Sequence, residues 1–150
     1  MSLAVLLAPN ERNTRPICGS WTLKDVVGHL TVYELMGVTA LKDLMEGHSP
    51  KFTKTIRNFE AFDEAQVVAK QGIDWSQALS EYRTVRKALV ALVDNLSDEQ
   101  PMRPFVAPWG SPITGYQYVF GLAIHEQEHA AILRCYTFTL PKRLRHYREA

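Results

Sequence analysis

Four stretches of the chain repeat apolar residues at steps of three and four, the spacing that lines one face of an α-helix. The first opens at Trp21-Thr22-Leu23-Lys24-Asp25, where Thr22 is placed to cap, Asp25 completes a capping box and Trp21 can staple onto Val26. Val26, His29, Tyr33, Met36 and Ala40 then share one face until Gly47 and Pro50 end the helix. A second stretch, 55–70, carries Ile56, Phe59, Phe62 and Val67, is interrupted by Asn58 and Asp63, and stops near Gly72. The third starts from Asp74 as N-cap and runs through Leu79, Tyr82, Val85, Leu89, Leu92 and Val93 to about Leu96. The fourth begins near Ser111-Pro112 or Thr114 and continues to about Phe138, before Pro141. Between Ser97 and Pro112, Pro101, Pro104, Pro108 and Pro112 deny a helix and predict a stiff, extended loop carrying Phe105 and Trp109. No alternating strand pattern competes, so the expected fold is all-α, an antiparallel four-helix bundle.

The length of 150 residues suits one domain over 1–150, with a basic tail at 141–150. With 46% hydrophobic residues such a chain can build a core without disulfide or metal staples, so a metal, if held, serves function first. A net charge of +1 removes the electrostatic case for a nucleic-acid binder, and the tail from Lys142 to Arg148 reads as a solvated end. Cys18 and Cys135 form no C-x-x-C pair, which points to a reducing cytoplasm. The start, Met1 to Ala8, lacks the basic region of a signal peptide, and the apolar run Tyr118 to Ile124 is too short to span a bilayer. A soluble, cytoplasmic protein is expected.

The candidate chemistry lies in His125-Glu126-Gln127-Glu128-His129. A four-residue step on a helix leaves the two imidazoles about 40° apart on one face, so both can converge on one ion. Tyr118, Leu122, Ile132 and Tyr136 extend the same line, which a bundle would turn inward. His29 lies on the inward stripe of the first helix between Val26 and Tyr33, the natural third partner. An inward histidine must be hydrogen-bonded or coordinated. Each could be a satisfied core residue, but three neutral nitrogens suit Zn²⁺, Ni²⁺ or Fe²⁺ and leave a coordination position open. His48 and His146 lack such neighbours and are expected to be exposed. Tyr33 and Tyr118 on the inward stripes and Trp109 on the proline-rich loop are candidates to contact substrate, with core packing as the ordinary alternative. Asp25, one turn before His29, could orient that ring in addition to capping.

The same five residues match H-E-x-x-H, the metalloprotease motif whose Glu is a general base. Glu149 sits at a spacing where one protease class places a third ligand, but no strands precede the motif to bind a peptide. Glu126 and Glu128 point about 80° from the midline between the histidines and are expected to flank the site or face solvent.

Trp21 through His29-Leu30, Asp74-Trp75-Ser76 with Tyr82-Arg83 and Leu89, Leu96-Ser97-Asp98-Glu99, and His125-x-x-x-His129-x-x-Ile132 together resemble the DinB/YfiT-like superfamily, from about Pro16 to Cys135. The resemblance implies an up-down-down-up bundle, often dimeric, with a divalent metal held by His29, His125 and His129. It also implies a role among thiol-dependent S-transferases and isomerases or hydrolase-like proteins. Members carry a longer helix before the Trp motif than the span Leu3 to Ala8 offers here. Core surface on the neighbouring helices would then be exposed, and a second copy could cover it.

The function expected is thus a metal-dependent small-molecule enzyme, a hydrolase or a low-molecular-weight-thiol S-transferase. The alternatives are a non-catalytic small-molecule binding or sequestration protein and, third, a zinc metalloprotease.

Overall fold

A computed structural model describes residues 7–52, 55–97, 99 and 102–139, with side chains through 136. Their order is α1 (Glu11–Thr14), α2 (Leu23–Met45), α3 (Phe59–Ala69), α4 (Trp75–Asp94), β1 (Pro104–Val106), β2 (Pro112–Thr114) and α5 (Gly115–Thr139). The four main helices are α2, α3, α4 and α5, with α2 packed against α4 and α5. This is the all-α bundle expected from the periodicity.

The expected capping box at α2 is present: the Asp25 N–H donates to Thr22 Oγ1 at 3.3 Å, and the Thr22 N–H donates to Asp25 Oδ2 at 2.9 Å. At the other end Gly47 takes φ +79°, its N–H donates to Leu44 O, and His48 N–H donates to Asp43 O. This is the paired carbonyl closure that a left-handed glycine allows. Between these ends α2 is the central helix, with Val26, Ala40 and Leu41 fully buried. Gly37 permits close packing, because a Cβ there would lie 2.5 Å from Leu122 Cδ1 and 3.3 Å from Leu89 Cδ1.

The other helices begin where a side chain can accept their free N–H groups. Asp74 caps α4 through the Gln77 N–H. Thr114 and Gln117 cap α5 reciprocally, with Gln117 N–H donating to Thr114 Oγ1 and Thr114 N–H to Gln117 Oε1. The second stretch is shorter than its periodicity suggested: Asn58 accepts the Ala61 N–H and starts α3 at Phe59.

The proline-rich segment corrects the expectation of a strandless loop. Phe105 pairs with Ile113 in a small antiparallel hairpin, turned at Gly110 with φ +89°. The prolines fit because Pro104 and Pro112 stand first in their short strands, where a missing N–H costs little. Phe105 is buried against Phe52 and Tyr118, so the hairpin is pinned over the end of the bundle.

Ahead of α2 stands the four-residue α1, Glu11–Thr14, while most of the short apolar span from Leu3 to Ala8 lies outside the described residues. Leu7 and Ile17 pack with Leu23, Trp75, Leu133 and Tyr136. Along the rest of α5, which is apolar nearly all round, Tyr116, Phe120, Ile124 and Ile132 are exposed. Ile132 was expected inward with the histidines and is 42% exposed instead. Val90 and Val93 of α4 are exposed as well, and Val93, Leu96, Val119 and Phe120 line a 490 Å³ groove.

Candidate metal centre

α2 and α5 bring three imidazoles to one point although 96 residues separate His29 from His125. His29 Nε2 lies 3.0 Å from His125 Nε2, which lies 3.1 Å from His129 Nε2. The three can serve as one ligand set. Two nitrogens bound at 2.0–2.1 Å to a tetrahedral zinc would stand about 3.3 Å apart, so little adjustment is needed. His29 is buried and the other two are half-buried.

Neighbours hold the rings. His29 Nδ1 lies 3.5 Å from Asp63 Oδ1, and the same oxygen accepts a hydrogen bond from the Tyr33 hydroxyl at 2.9 Å. His29 Nδ1 makes no hydrogen bond at that distance; a proton placed there would face the carboxylate and leave the Nε2 lone pair toward the other histidines, the arrangement that outer carboxylates support in metal sites. Trp21 and Tyr33 rings each lie 4.9 Å from the His29 ring, on either side of it in sequence. Asp25, considered as the orienting acid, is committed to the capping box.

The electrostatics match ligation. Burial, reinforced by His125 and His129, pushes His29 down to about 3. Burial also lowers His125 and His129. Neutral imidazoles are what a cation requires. Burial raises Asp63, against the Tyr33 hydrogen bond and the charge of His129. The histidine shifts carry a sign. A depressed folded pKa gives stability that is complete above the unfolded value of 6.5 and is lost as pH falls toward about 3. In chelator, urea midpoints should therefore fall steadily from pH 7 to pH 4, and His29→Ala should flatten that slope. A parallel slope in the variant would refute the assignment.

Glu126, the acid of the H-E-x-x-H string, is held elsewhere. Its Oε1 accepts from the Tyr82 hydroxyl at 2.7 Å and its Oε2 from the Arg86 guanidinium, which also reaches Tyr82 and the buried Glu34. That engagement, together with His29 as third nitrogen, weighs against the protease reading. Glu149 and His146 lie outside the described residues, and Glu128 and His48 are exposed.

The three residues proposed to meet substrate come together in one pocket of 340 Å³, walled by Tyr33, Phe59, Trp109, Tyr118, Leu122 and His125. Trp109 stacks on Tyr118 with centroids 5.8 Å apart and planes at 17°. The Tyr118 hydroxyl is buried without a hydrogen-bond partner among the described residues, and burial raises its pKa, keeping it protonated. Sequence reasoning missed Asp63 and Phe59. The available signal was Asp63 itself, an acid interrupting an apolar stripe.

Fold and site together define a helical bundle with a three-histidine, metal-competent centre. A sequence model described as the DinB superfamily matches residues 1–133, and the chain belongs to that superfamily. No curated protein and no solved structure matches it. Among the described residues no helix is long and apolar enough to cross a membrane.

Proposed function

We propose that the protein is a metal-dependent enzyme acting on small molecules, either a hydrolase or a low-molecular-weight-thiol S-transferase. The observation that carries this reading is His125, which belongs both to the three-nitrogen cluster and to the wall of the apolar pocket. A divalent ion, Zn²⁺, Ni²⁺ or Fe²⁺, held by His29, His125 and His129 supplies Lewis acidity and lowers the pKa of a water or thiol nucleophile. Asp63 keeps His29 in register, and Tyr33 holds Asp63. Phe59 and Trp109 stand in the wall of the pocket and make it apolar beside the histidines. No nucleic acid or membrane takes part.

A second reading, a non-catalytic binding or sequestration protein of the cytoplasm, is favoured by the commitment of Glu126 to Arg86 and Tyr82, which leaves that acid unavailable as a base. Hydrolysis of 4-nitrophenyl acetate and conjugation of cysteine to 1-chloro-2,4-dinitrobenzene, each measured with Zn²⁺, Ni²⁺ or Fe²⁺ and with chelator, separate the two. Chelator-sensitive turnover in either assay is expected. Ligand binding with no turnover for any metal would establish the second reading.

The proposal includes a homodimer. Its support is the exposed Tyr116 and Phe120 of α5, which line one groove with Val93 of α4, an exposed apolar surface of the kind that marks interaction sites.

A further inference from the structure

We propose that the pocket beside the histidines takes an uncharged, flat, apolar group of about two fused rings, and that Gly121 sets its size limit. The proposal rests on the reading above only for which end of the ligand reacts.

Size comes first. An apolar cavity of about 150 Å³ suffices for benzene, so 340 Å³ leaves room for a second ring. Shape follows from the walls. Trp109 lies nearly parallel to Tyr118, and the Phe59 ring stands 6.2 Å from Trp109 at 47°, giving planar aromatic surfaces against which a flat ligand can stack. Ile113 and Leu122 complete an apolar lining.

Charge is decided by what the lining omits. Among the described lining residues there is no Lys, Arg, Asp or Glu. The Tyr33 hydroxyl donates to Asp63 and Gln117 Oε1 accepts from the Thr114 N–H, while the buried Tyr118 hydroxyl has no partner among the described residues and is free to donate to a neutral carbonyl. A carboxylate entering the metal-free pocket would lose its hydration with no lysine or arginine in the lining to replace it.

Gly121 stands on α5 one turn before His125 and lines the pocket, and a Cβ built there meets nothing within 4 Å. Neither packing nor a left-handed backbone requires glycine at this position, although glycine weakens a helix. Its effect is to recess the helix surface next to the reacting end. A side chain at 121 would occupy ligand space while leaving the histidines in place.

The test uses the full chain without metal, so that no anion can bind through an ion, and follows ¹H–¹⁵N spectra during titration with 2-acetonaphthone or 2-naphthoate. These probes have nearly the same shape and differ in charge. The neutral ketone should shift the Trp109 indole and Gly121 amide signals, and the anion should bind at least tenfold more weakly. Gly121→Leu should weaken the ketone at least tenfold, and Gly121→Ala, a smaller change that suits a helix, about threefold. Both should take up Zn²⁺ as the parent does. Equal binding of the two probes, or unaltered ketone binding in both variants, overturns the proposal. Loss of Zn²⁺ uptake in the parent with this binding pattern intact would overturn the metal reading alone.

Discussion

Protein carrying His29→Ala, purified without a histidine tag, is expected to fall from about one divalent transition-metal ion per chain to nearly none, and His125→Ala is expected to do the same. Three nitrogens within 3.1 Å of a neighbour form a small ligand set; removing His29 leaves two ligands on α5, and removing His125 leaves one on each helix. Two neutral imidazoles rarely compete with buffer and chelator for zinc, whereas three on a folded scaffold do. Asp63→Asn should sit between these extremes, with metal affinity weakened roughly 10–100-fold, because it removes the charge facing His29 Nδ1 and keeps the shape. Elemental analysis gives the stoichiometry and competition with a chromophoric chelator gives the affinity. Far-ultraviolet circular dichroism of each metal-free variant separates a lost ligand from a lost fold. Parent protein that takes up no Zn²⁺, Ni²⁺ or Fe²⁺, or a His29→Ala variant that keeps its metal, would dismiss the site.

The second large effect concerns stability. Arg86 of α4 joins Glu34 of α2 to Glu126 of α5, with Tyr82 between them, so one guanidinium ties three helices. The Glu34 side chain is only 5% exposed, and burial pushes its pKa up while Arg86 pulls it down. Arg86→Met strands that carboxylate, and breaking one side of a buried pair costs about 3–5 kcal/mol. For a chain of this length that corresponds to a melting temperature lower by about 10 °C. Without its partner Glu34 is left with a folded pKa above its unfolded one. The variant should therefore lose more stability as pH rises through that range, and its deficit should be smaller at pH 4.5 than at pH 8. Replacing both residues, Glu34→Leu with Arg86→Met, should restore most of the loss, since a buried pair often does little better than apolar residues of similar size. Urea unfolding of the single and double variants measures all three terms. A single-variant loss below about 1 kcal/mol would show that the network is solvated enough to be dispensable.

What could be read from the chain, and what could not, follows from the range of the interactions. Thr22, Asp74 and Gly47 act on backbone groups a few residues away, so the ends of α2 and the start of α4 are local facts. The His125-x-x-x-His129 step is likewise local geometry, and His29 could be placed because an amphipathic helix declares its inner face. Asn58 and Asp63 interrupted the second stripe and lowered its helical character. In the structure both interruptions have uses, one as the cap of α3 and the other facing His29. The cap is local and was open to the same reasoning as Thr22 and Asp74, whereas the approach of Asp63 to His29 cannot be computed from neighbours in sequence. The hairpin was hidden for a related reason: each strand is three residues long, too short for alternation to register, and its prolines read as breakers. On α5 the period itself is uninformative, because apolar residues occur on every side, and Ile132 was therefore assigned inward with the histidines.

The distance along the chain between His29 and His125 has a further consequence. An unfolded polypeptide holds no such triad, so an ion bound there would select the folded form and add to the stability that the core already supplies. Free metal at a hundredfold over its dissociation constant would add about 2.7 kcal/mol to stability. Without metal, backbone amides around His29 and His125 would exchange faster than they do with it. In a cell, abundance of this chain would then report the available transition-metal pool, rising and falling with it even under constant synthesis.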